Sequence, residues 1–293
     1  MKRKINLVGT GTLTISLPSE WVKYHGLKKG DNIEIINEGN KLGIYADKIL
    51  PTKEIIKIEA HGPKRSIKRL IGNVYRKGFN EIEVRYEDSK VIGYINDSLY
   101  NLTGFDIVEQ DTHHTILKNI ANIDDDEFDN TLRRMFLTTI SLAKESYKAI
   151  KEKKFEDLKS IVKLEATQNK QYMFCSRIVN IAGHKKFKKP SIIYLFLHRL
   201  EDVADFYKLI CNYISNSEEK KMTVSKETLE VYEKTTLMVE KLYDLYYKYS
   251  QQKDGILWQM KDDIIKKGHE LLERVPKKEI RIVHLLIETT SAI

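Results

Sequence analysis

Four polar residues on two consecutive predicted helices have the types and spacing of a metal site. Glu165 and Asn169 lie four residues apart in one helix, and Glu201 and Asp205 lie four residues apart in the next. Side chains at this spacing project from the same side of a helix. Helical bundles bind metal ions through oxygen ligands placed in this way on facing helices. Acidic residues four apart are also common on exposed helix faces, so the spacing alone leaves both interpretations open.

The first of these helices gives the stronger indication, because its polar residues interrupt an apolar stripe. The stripe runs through residues 158–179 in steps of three and four, and Glu165 and Asn169 fall within it. An ionised carboxylate in a bundle interior is costly unless it is paired or bound to a metal. In the next helix, Glu201 and Asp205 flank a second apolar stripe, which runs through residues 193–214.

Long helices must position these residues. From Ile123 onward glycine is rare and helical periodicity predominates. We predict six helices with short links, a pattern that favours antiparallel neighbours in bundles. The predicted helices span residues 125–152, 154–183, 189–217, 223–250, 254–274 and 277–293.

The preceding residues, 48–122, alternate strand and helix patterns, which predicts a small α/β module. The predicted strands are 54–60, 81–86, 106–109 and 115–120, and the predicted helices are 64–76 and 88–99. The module has neither glycine-rich phosphate-binding motif, so the pattern gives little support to a nucleotide site. Its first helix carries a basic patch, for which we weigh a solvated face against extra contact with a DNA backbone. The patch comprises Lys64, Arg65, Lys68, Arg69, Arg76 and Lys77.

Positive charge is concentrated at the start of the chain. Six cations stand against Glu20 in residues 1–29, and such a cluster is the electrostatic footprint expected of phosphate contacts. The six are Lys2, Arg3, Lys4, Lys23, Lys28 and Lys29. A solvated basic N-terminus is the alternative. This unit of about forty-seven residues is too small to bury much surface alone, which favours dimerisation.

Two short strands, one short helix and a further strand should present that charge. Strands are predicted at residues 2–8 and 13–17, joined by a Gly-Thr-Gly-Thr turn, with another at residues 32–36. Pro18 suits the first position of the intervening helix, and Gly26 suits its end.

Length and composition set broader limits. The 293 residues carry a net charge of +8, which permits an anionic partner without identifying it. No apolar run is long enough for a membrane span, and the N-terminus lacks a signal-type segment, so we expect a cytoplasmic protein. Cys175 and Cys211 lie far apart with no CxxC motif, and we expect buried thiols.

The phrase from Thr14 to Asp31, with the strands on either side of it, resembles the SpoVT/AbrB (MazE-like) swapped-hairpin domain. The resemblance covers residues 1–47. It implies that two chains intertwine into a homodimer and that their basic strands and loops face double-stranded DNA. The residues expected to contact DNA are Lys2, Arg3, Lys4, Thr10, Thr12, Lys23, Lys28 and Lys29.

The six helices of residues 123–293 resemble the PhoU family, read as two successive three-helix units. The match rests on the phrase around Glu165 and Asn169 and on the phrase His198-Arg-Leu-Glu-Asp-Val-Ala-Asp205. It implies iron- or zinc-type metal ions at Glu165, Asn169, Glu201 and Asp205, and partners such as a phosphate transporter ATPase or a sensor kinase. Two positions depart from the family pattern. Asn169 stands where the pattern has an acidic residue, and Ala292 stands four residues after Glu288, where a second motif would need an acidic residue.

The predicted fold is therefore multidomain α+β. It combines a small swapped-hairpin β domain at 1–47, a small α/β module at 48–122 and an all-α pair of PhoU-like three-helix bundles at 123–293. Together the two resemblances imply a DNA-binding transcriptional regulator linked to phosphate uptake. The alternative is an adaptor that acts on a transporter or kinase without binding DNA, and a toxin-neutralising antitoxin is a third. We do not expect the protein to be an enzyme, because its sequence contains neither a nucleophile–base pair nor a closed zinc signature.

Overall fold

The structure is a computed structural model that describes residues 2–37, 39, 41–46, 55–121, 127–183, 189–216 and 223–293. The predicted domain boundaries, at 47/48 and 122/123, lie outside the described residues. So do the first two residues of the helix predicted at 125–152.

Two β-hairpins and a short helix form the N-terminal unit. Strands β1 and β2 pair antiparallel, as do β3 and β4. The helix α1 ends where predicted, because Gly26 has φ +60° and the Leu27 amide donates to the carbonyl of Val22, as in a Schellman motif. Pro18 immediately precedes the helix instead of beginning it. The elements are β1 (Asn6–Val8), β2 (Thr12–Thr14), α1 (Ser19–Tyr24), β3 (Ile33–Asn37) and β4 (Leu42–Ala46).

This unit has little core of its own in a single chain. Among its residues whose burial the structure describes, Ala46 alone is buried. Leu7 and Leu13, one on each strand of the first hairpin, are 66% and 67% exposed, and Leu42 is 64% exposed. Apolar strand residues exposed to this degree lack the covering layer that a β-hairpin needs for stability.

The central module is a four-stranded sheet with two helices. The sheet order is β5-β6-β8-β7, with β5 parallel to β6 and the other pairs antiparallel. Each element lies within two residues of its prediction. The elements are β5 (Ile55–Glu59), α2 (Lys64–Arg76), β6 (Glu81–Arg85), α3 (Lys90–Leu99), β7 (Phe105–Gln110) and β8 (His114–Asn119).

The remainder of the described chain is helical. Helices α4, α6 and α7 pack together, as do α8, α9 and α10, and the two groups meet where α4 contacts α8 and α7 contacts α10. None of the described helices is long and apolar enough to cross a membrane. The helices are α4 (Glu127–Lys151), α5 (Leu158–Ile161), α6 (Lys163–Ala182), α7 (Pro190–Ser215), α8 (Lys226–Tyr247), α9 (Gln251–Leu272) and α10 (Lys277–Ala292).

The single helix predicted at 154–183 is wrong in its first part. A 3₁₀ turn at Phe155–Asp157 leads into the short α5, and α6 begins only at Lys163. At the junction the Glu165 amide donates to the carbonyl of Val162, three residues back, so the regular α-helical hydrogen bonding is interrupted. The predicted break near Lys153 is confirmed, since Lys153 has φ +59°.

The sheet module and the first helical group share one hydrophobic core. Phe128 and Leu132 of α4 and Met173 of α6 belong to the same buried cluster as Ile71 of α2 and Leu117 of the sheet. Helices α2 and α6 approach closely at Gly72, where an added Cβ would lie 3.0 Å from Cε of Met173. At this position the side chain of Met173 leaves little room for a Cβ atom.

A buried arginine stabilises the contact between α2 and α6. Arg177 of α6 is fully buried, and its Nη1 donates to the carbonyls of Tyr75 and Phe79 at 2.7 and 2.8 Å. Its Nη2 donates to Oδ1 of Asn80 at 2.8 Å. The guanidinium also lies 4.9 Å from the ring centroid of Phe105. Arg177 thereby satisfies carbonyls at the C-terminal end of α2, where a positive charge is favourable.

We expect Arg177→Met to lower the free energy of unfolding by about 2–4 kcal/mol. The substitution preserves apolar bulk but leaves the carbonyls of Tyr75 and Phe79 without these donors. Urea denaturation followed by circular dichroism measures the change. Lys163→Met, at the exposed start of the same helix, is the matched control and should change stability by less than about 0.5 kcal/mol. Equal stability of the two variants would contradict the role given to Arg177.

Candidate functional site

The N-terminal unit presents an exposed basic surface. All eight residues expected to contact DNA are exposed, and Thr10 lies at the turn of the first hairpin, where Val8 pairs with Thr12. Nothing in the described chain forms a salt bridge with its six cations. Their charges are therefore available to an external anion. The eight residues are Lys2, Arg3, Lys4, Thr10, Thr12, Lys23, Lys28 and Lys29.

A lysine occupies the space between two of the predicted metal ligands. Nζ of Lys208 lies 3.0 Å from Oε1 of Glu165 and 2.9 Å from Oδ1 of Asp205. Burial raises the pKa of Glu165, while the charge of Lys208 opposes that rise. The protein's own ammonium thus neutralises these carboxylates, in the position where a metal ion would have to bind.

The other predicted acid, Glu201, has different neighbours. Its Oε2 lies 3.4 Å from Nδ1 of His198, and ligand atoms of His198, Glu201 and Asp202 all lie within 4.8 Å of one another. Asp202 also accepts a hydrogen bond from Arg199 at 3.3 Å. A histidine nitrogen with two carboxylate oxygens is a donor set that suits zinc- or iron-type ions.

The fourth predicted ligand, Asn169, lines a groove. Asn169 and Glu201 line a cavity of about 730 Å³ together with residues of α2. The predicted four residues are thus divided between the Lys208 pair and this groove. His198 and Asp202, which the sequence prediction omitted, lie three residues before and one residue after Glu201, a spacing that could have identified them.

Glu201 is the most strongly perturbed of the acids. Burial, reinforced by the negative charges of Asp205, Asp202 and Glu165, raises its pKa from 4.5 to about 7. Its side chain is 17% exposed, so solvent screens these charges only in part. At neutral pH the residue is therefore divided between a neutral and an ionised form.

A buried carboxylate elsewhere in the chain shows that such a group does not require a metal. Glu279 of α10 is 2% exposed, and its Oε2 accepts hydrogen bonds from the hydroxyls of Ser225 and Thr228 at 2.6 and 2.7 Å. It also accepts from the Ser225 amide. The N-terminus of α8 thereby satisfies the charge, as a helix N-terminus favours an anion.

The cysteines lie where the sequence predicted. Cys175 and Cys211 are both buried, and neither forms a disulfide. Burial raises the pKa of the Cys211 thiol to about 12, which keeps it protonated and unreactive at neutral pH.

Comparison with known proteins gives a family match for the N-terminal unit only. Residues 7–48 match the family model described as antidote-toxin recognition MazE, bacterial antitoxin. This part of the chain is therefore a MazE/AbrB-like domain, as predicted, and such a domain is typically dimeric and DNA-binding. It suggests a DNA-binding regulator or an antitoxin-type fold. Comparison with curated proteins and with solved structures gave no match.

We expect Glu201→Gln to raise stability above pH 7 and to change it little below pH 4.5. Between these values the folded protein keeps a proton on Glu201 that the unfolded chain releases, so stability falls as the pH rises. Above pH 7, where Glu201 is ionised, its burial lowers the free energy of unfolding by at most about 3 kcal/mol. The neutral amide of glutamine avoids this loss. Urea denaturation of both proteins across this pH range measures the difference. Glu230→Gln, on an exposed part of α8, should show no such pH-dependent gain.

Proposed function

We propose that the protein is a DNA-binding transcriptional regulator whose N-terminal units form a homodimer. The proposal rests on the domain match at residues 7–48 together with the exposed cations of residues 2–29, of which Lys23, Lys28 and Lys29 lie inside the match and the other three immediately precede it. Arginine and lysine contacts to phosphates supply most of the affinity of such surfaces, and two identical chains read a pseudo-palindromic site.

The exposed apolar residues of the N-terminal unit support a dimer. Leu7, Leu13, Ile35 and Leu42 are 59–67% exposed in the single chain. A second copy of the unit supplies the apolar layer that these side chains lack, and burying them contributes about 1.5–3 kcal/mol for each leucine or isoleucine. Dimerisation and the DNA surface are thus parts of the same unit.

The helical region is the sensor or partner domain in this proposal. The number of long helices supports the resemblance to PhoU, since α4, α6, α7, α8, α9 and α10 make two successive sets of three. A link to phosphate uptake, through a transporter ATPase or a sensor kinase as partner, follows from that resemblance alone. The family match ends at residue 48 and does not extend to this region.

The second candidate is a protein–protein role. The family description favours an antitoxin, in which the N-terminal unit recognises a toxin. An adaptor that docks the helical region on a transporter or kinase is the other form of this candidate. Absence of DNA binding at low salt, together with a homodimeric mass, would favour either form over a regulator.

We expect Arg3→Ala/Lys4→Ala to weaken DNA binding at least about tenfold without lowering the melting temperature. Each dimer loses four exposed cations, so the slope of log affinity against log salt should fall by about four. Fluorescence anisotropy measures both quantities, with the duplex upstream of the protein's own gene and a shuffled duplex. Lys159→Ala/Lys163→Ala removes the same charge from exposed helical positions and is the control. Affinity that is equal in all three proteins, or independent of salt, would contradict the proposal.

A metal ion in the helical region is the remaining part of the proposal. Glu201, with His198 and Asp202, would hold it, and the ion would neutralise the acids that raise the pKa of Glu201. Asp205 and Glu165 are already paired with Lys208.

We therefore expect Glu201→Ala to lose a metal that Asp205→Ala retains. Elemental analysis of the purified proteins, after loading with zinc or iron(II) and gel filtration, measures the ratio of metal to chain. Wild-type protein should retain about one ion, as a single site requires. Retention of metal by Glu201→Ala, or equal loss in both variants, would contradict this assignment.

A further inference from the structure

A concave, basic groove lies between the sheet module and the helical region. It is defined by the face of α2 on one side and by residues of α6 and α7 on the other, and its volume is about 730 Å³. That volume is within the usual range for sites that bind small molecules. Five of its lining residues are cations, all on α2: Lys64, Arg65, Lys68, Arg69 and Arg76.

The groove has far more positive charge than its own acids can balance. Glu201 is the one carboxylate among the described lining residues. Lys64 pairs with Asp97, outside the groove, and Arg76 donates to Oη of Tyr172 at 2.7 Å. No salt bridge joins Arg65, Lys68 or Arg69 to a carboxylate in the described part of the chain.

These cations also oppose the stability of the helix that carries them. Lys64 and Arg65 begin α2, and no acidic residue lies in its first turn. Positive charge at a helix N-terminus is unfavourable, and like charges four residues apart, as at Arg65 and Arg69, repel each other. A bound anion would reverse both effects, because it would meet the positive end of the helix as well as the side chains.

We propose that the groove binds a small molecule that carries two or more phosphate groups. Arg65, Arg69 and Arg76 fall on one stripe of α2, spaced over about 17 Å at the rise of an α-helix. Arginine matches phosphate oxygens in bidentate geometry, and several cations in a row suit an anion with several charges. Asn101 and Asn169 line the same groove and add neutral hydrogen-bonding groups.

The concave shape favours a small phosphorylated molecule over a DNA backbone. The groove is bounded on both sides, by α2 and by α6 and α7, and its volume of about 730 Å³ suits a small molecule but is far too small to admit a DNA duplex. A bound molecule would contact Arg69 of the sheet module and His198 of the helical region at the same time. Such a ligand would therefore strengthen the contact between these two parts of the chain. Binding at this groove does not depend on the proposed DNA-binding role.

Isothermal titration calorimetry of the full chain tests the proposal at about 0.1 M salt without magnesium. The probes are sodium tripolyphosphate and adenosine triphosphate, which separate an inorganic chain from a nucleotide, with orthophosphate as the singly phosphorylated comparison. We expect at least one of the two probes to bind at least about tenfold more tightly than orthophosphate, and Arg65→Ala/Arg69→Ala to weaken that binding at least about tenfold. Lys159→Ala/Lys163→Ala removes equal charge four residues apart on another part of the chain and should leave the affinity within about twofold.

A thermal readout separates a binding role from a structural one. Without ligand, the Arg65→Ala/Arg69→Ala protein should melt no lower than wild type, because the substitution removes repulsion at the N-terminus of α2. It should lose the rise in melting temperature that the bound probe gives to wild type. Failure of wild type to bind either probe, or equal weakening in the control variant, would overturn the proposal. So would a double variant that binds the probe normally but loses affinity for duplex DNA.

Discussion

The structure depends on the burial of one positive charge. Arg177 is enclosed between the first helical group and the sheet module, and carbonyl oxygens and an amide oxygen are the hydrogen-bond acceptors of its guanidinium. Burial lowers the pKa of Arg177 to about 10, which still leaves it charged at neutral pH. Because three hydrogen bonds from the two Nη atoms offset the burial of this charge, α6 lies against the end of α2 in the arrangement that provides them. That arrangement also creates the basic groove, since α2 and α6 form two of its walls.

Much of the secondary structure could be predicted from the sequence, but this contact could not. The strands and helices of the sheet module follow from short apolar alternation and from glycines at their ends. In α6, by contrast, residues 172–179 are all buried, because the helix packs against the helical group on one side and the sheet module on the other. A prediction based on one apolar stripe assigns a single buried face to a helix. Arg177 falls outside that stripe, so such a prediction places it on the exposed face of the helix.

The same reasoning explains why the candidate metal site was only partly predictable. Helical spacing correctly placed Glu165 near Asp205, but it could not show that Lys208 would fold back between them. Lys208 lies three residues after Asp205, where a sequence pattern indicates an ordinary surface pair. The N-terminal unit was more predictable, because its signal is a continuous phrase of turn residues and not a contact between distant helices. Its exposed leucines, by contrast, follow from no sequence pattern and appear only in the structure.

The shared core also determines where the chain can be divided. Phe128, Leu132 and Met173 pack with side chains of α2 and of the sheet. A fragment that began at α4 would expose these residues to water and would leave Arg177 without its acceptors. The helical region is thus not an independent part that could be exchanged between proteins while the sheet module stayed behind. If the chain arose by fusion, the unit that was joined to the N-terminal hairpins had to include β5 and everything after it.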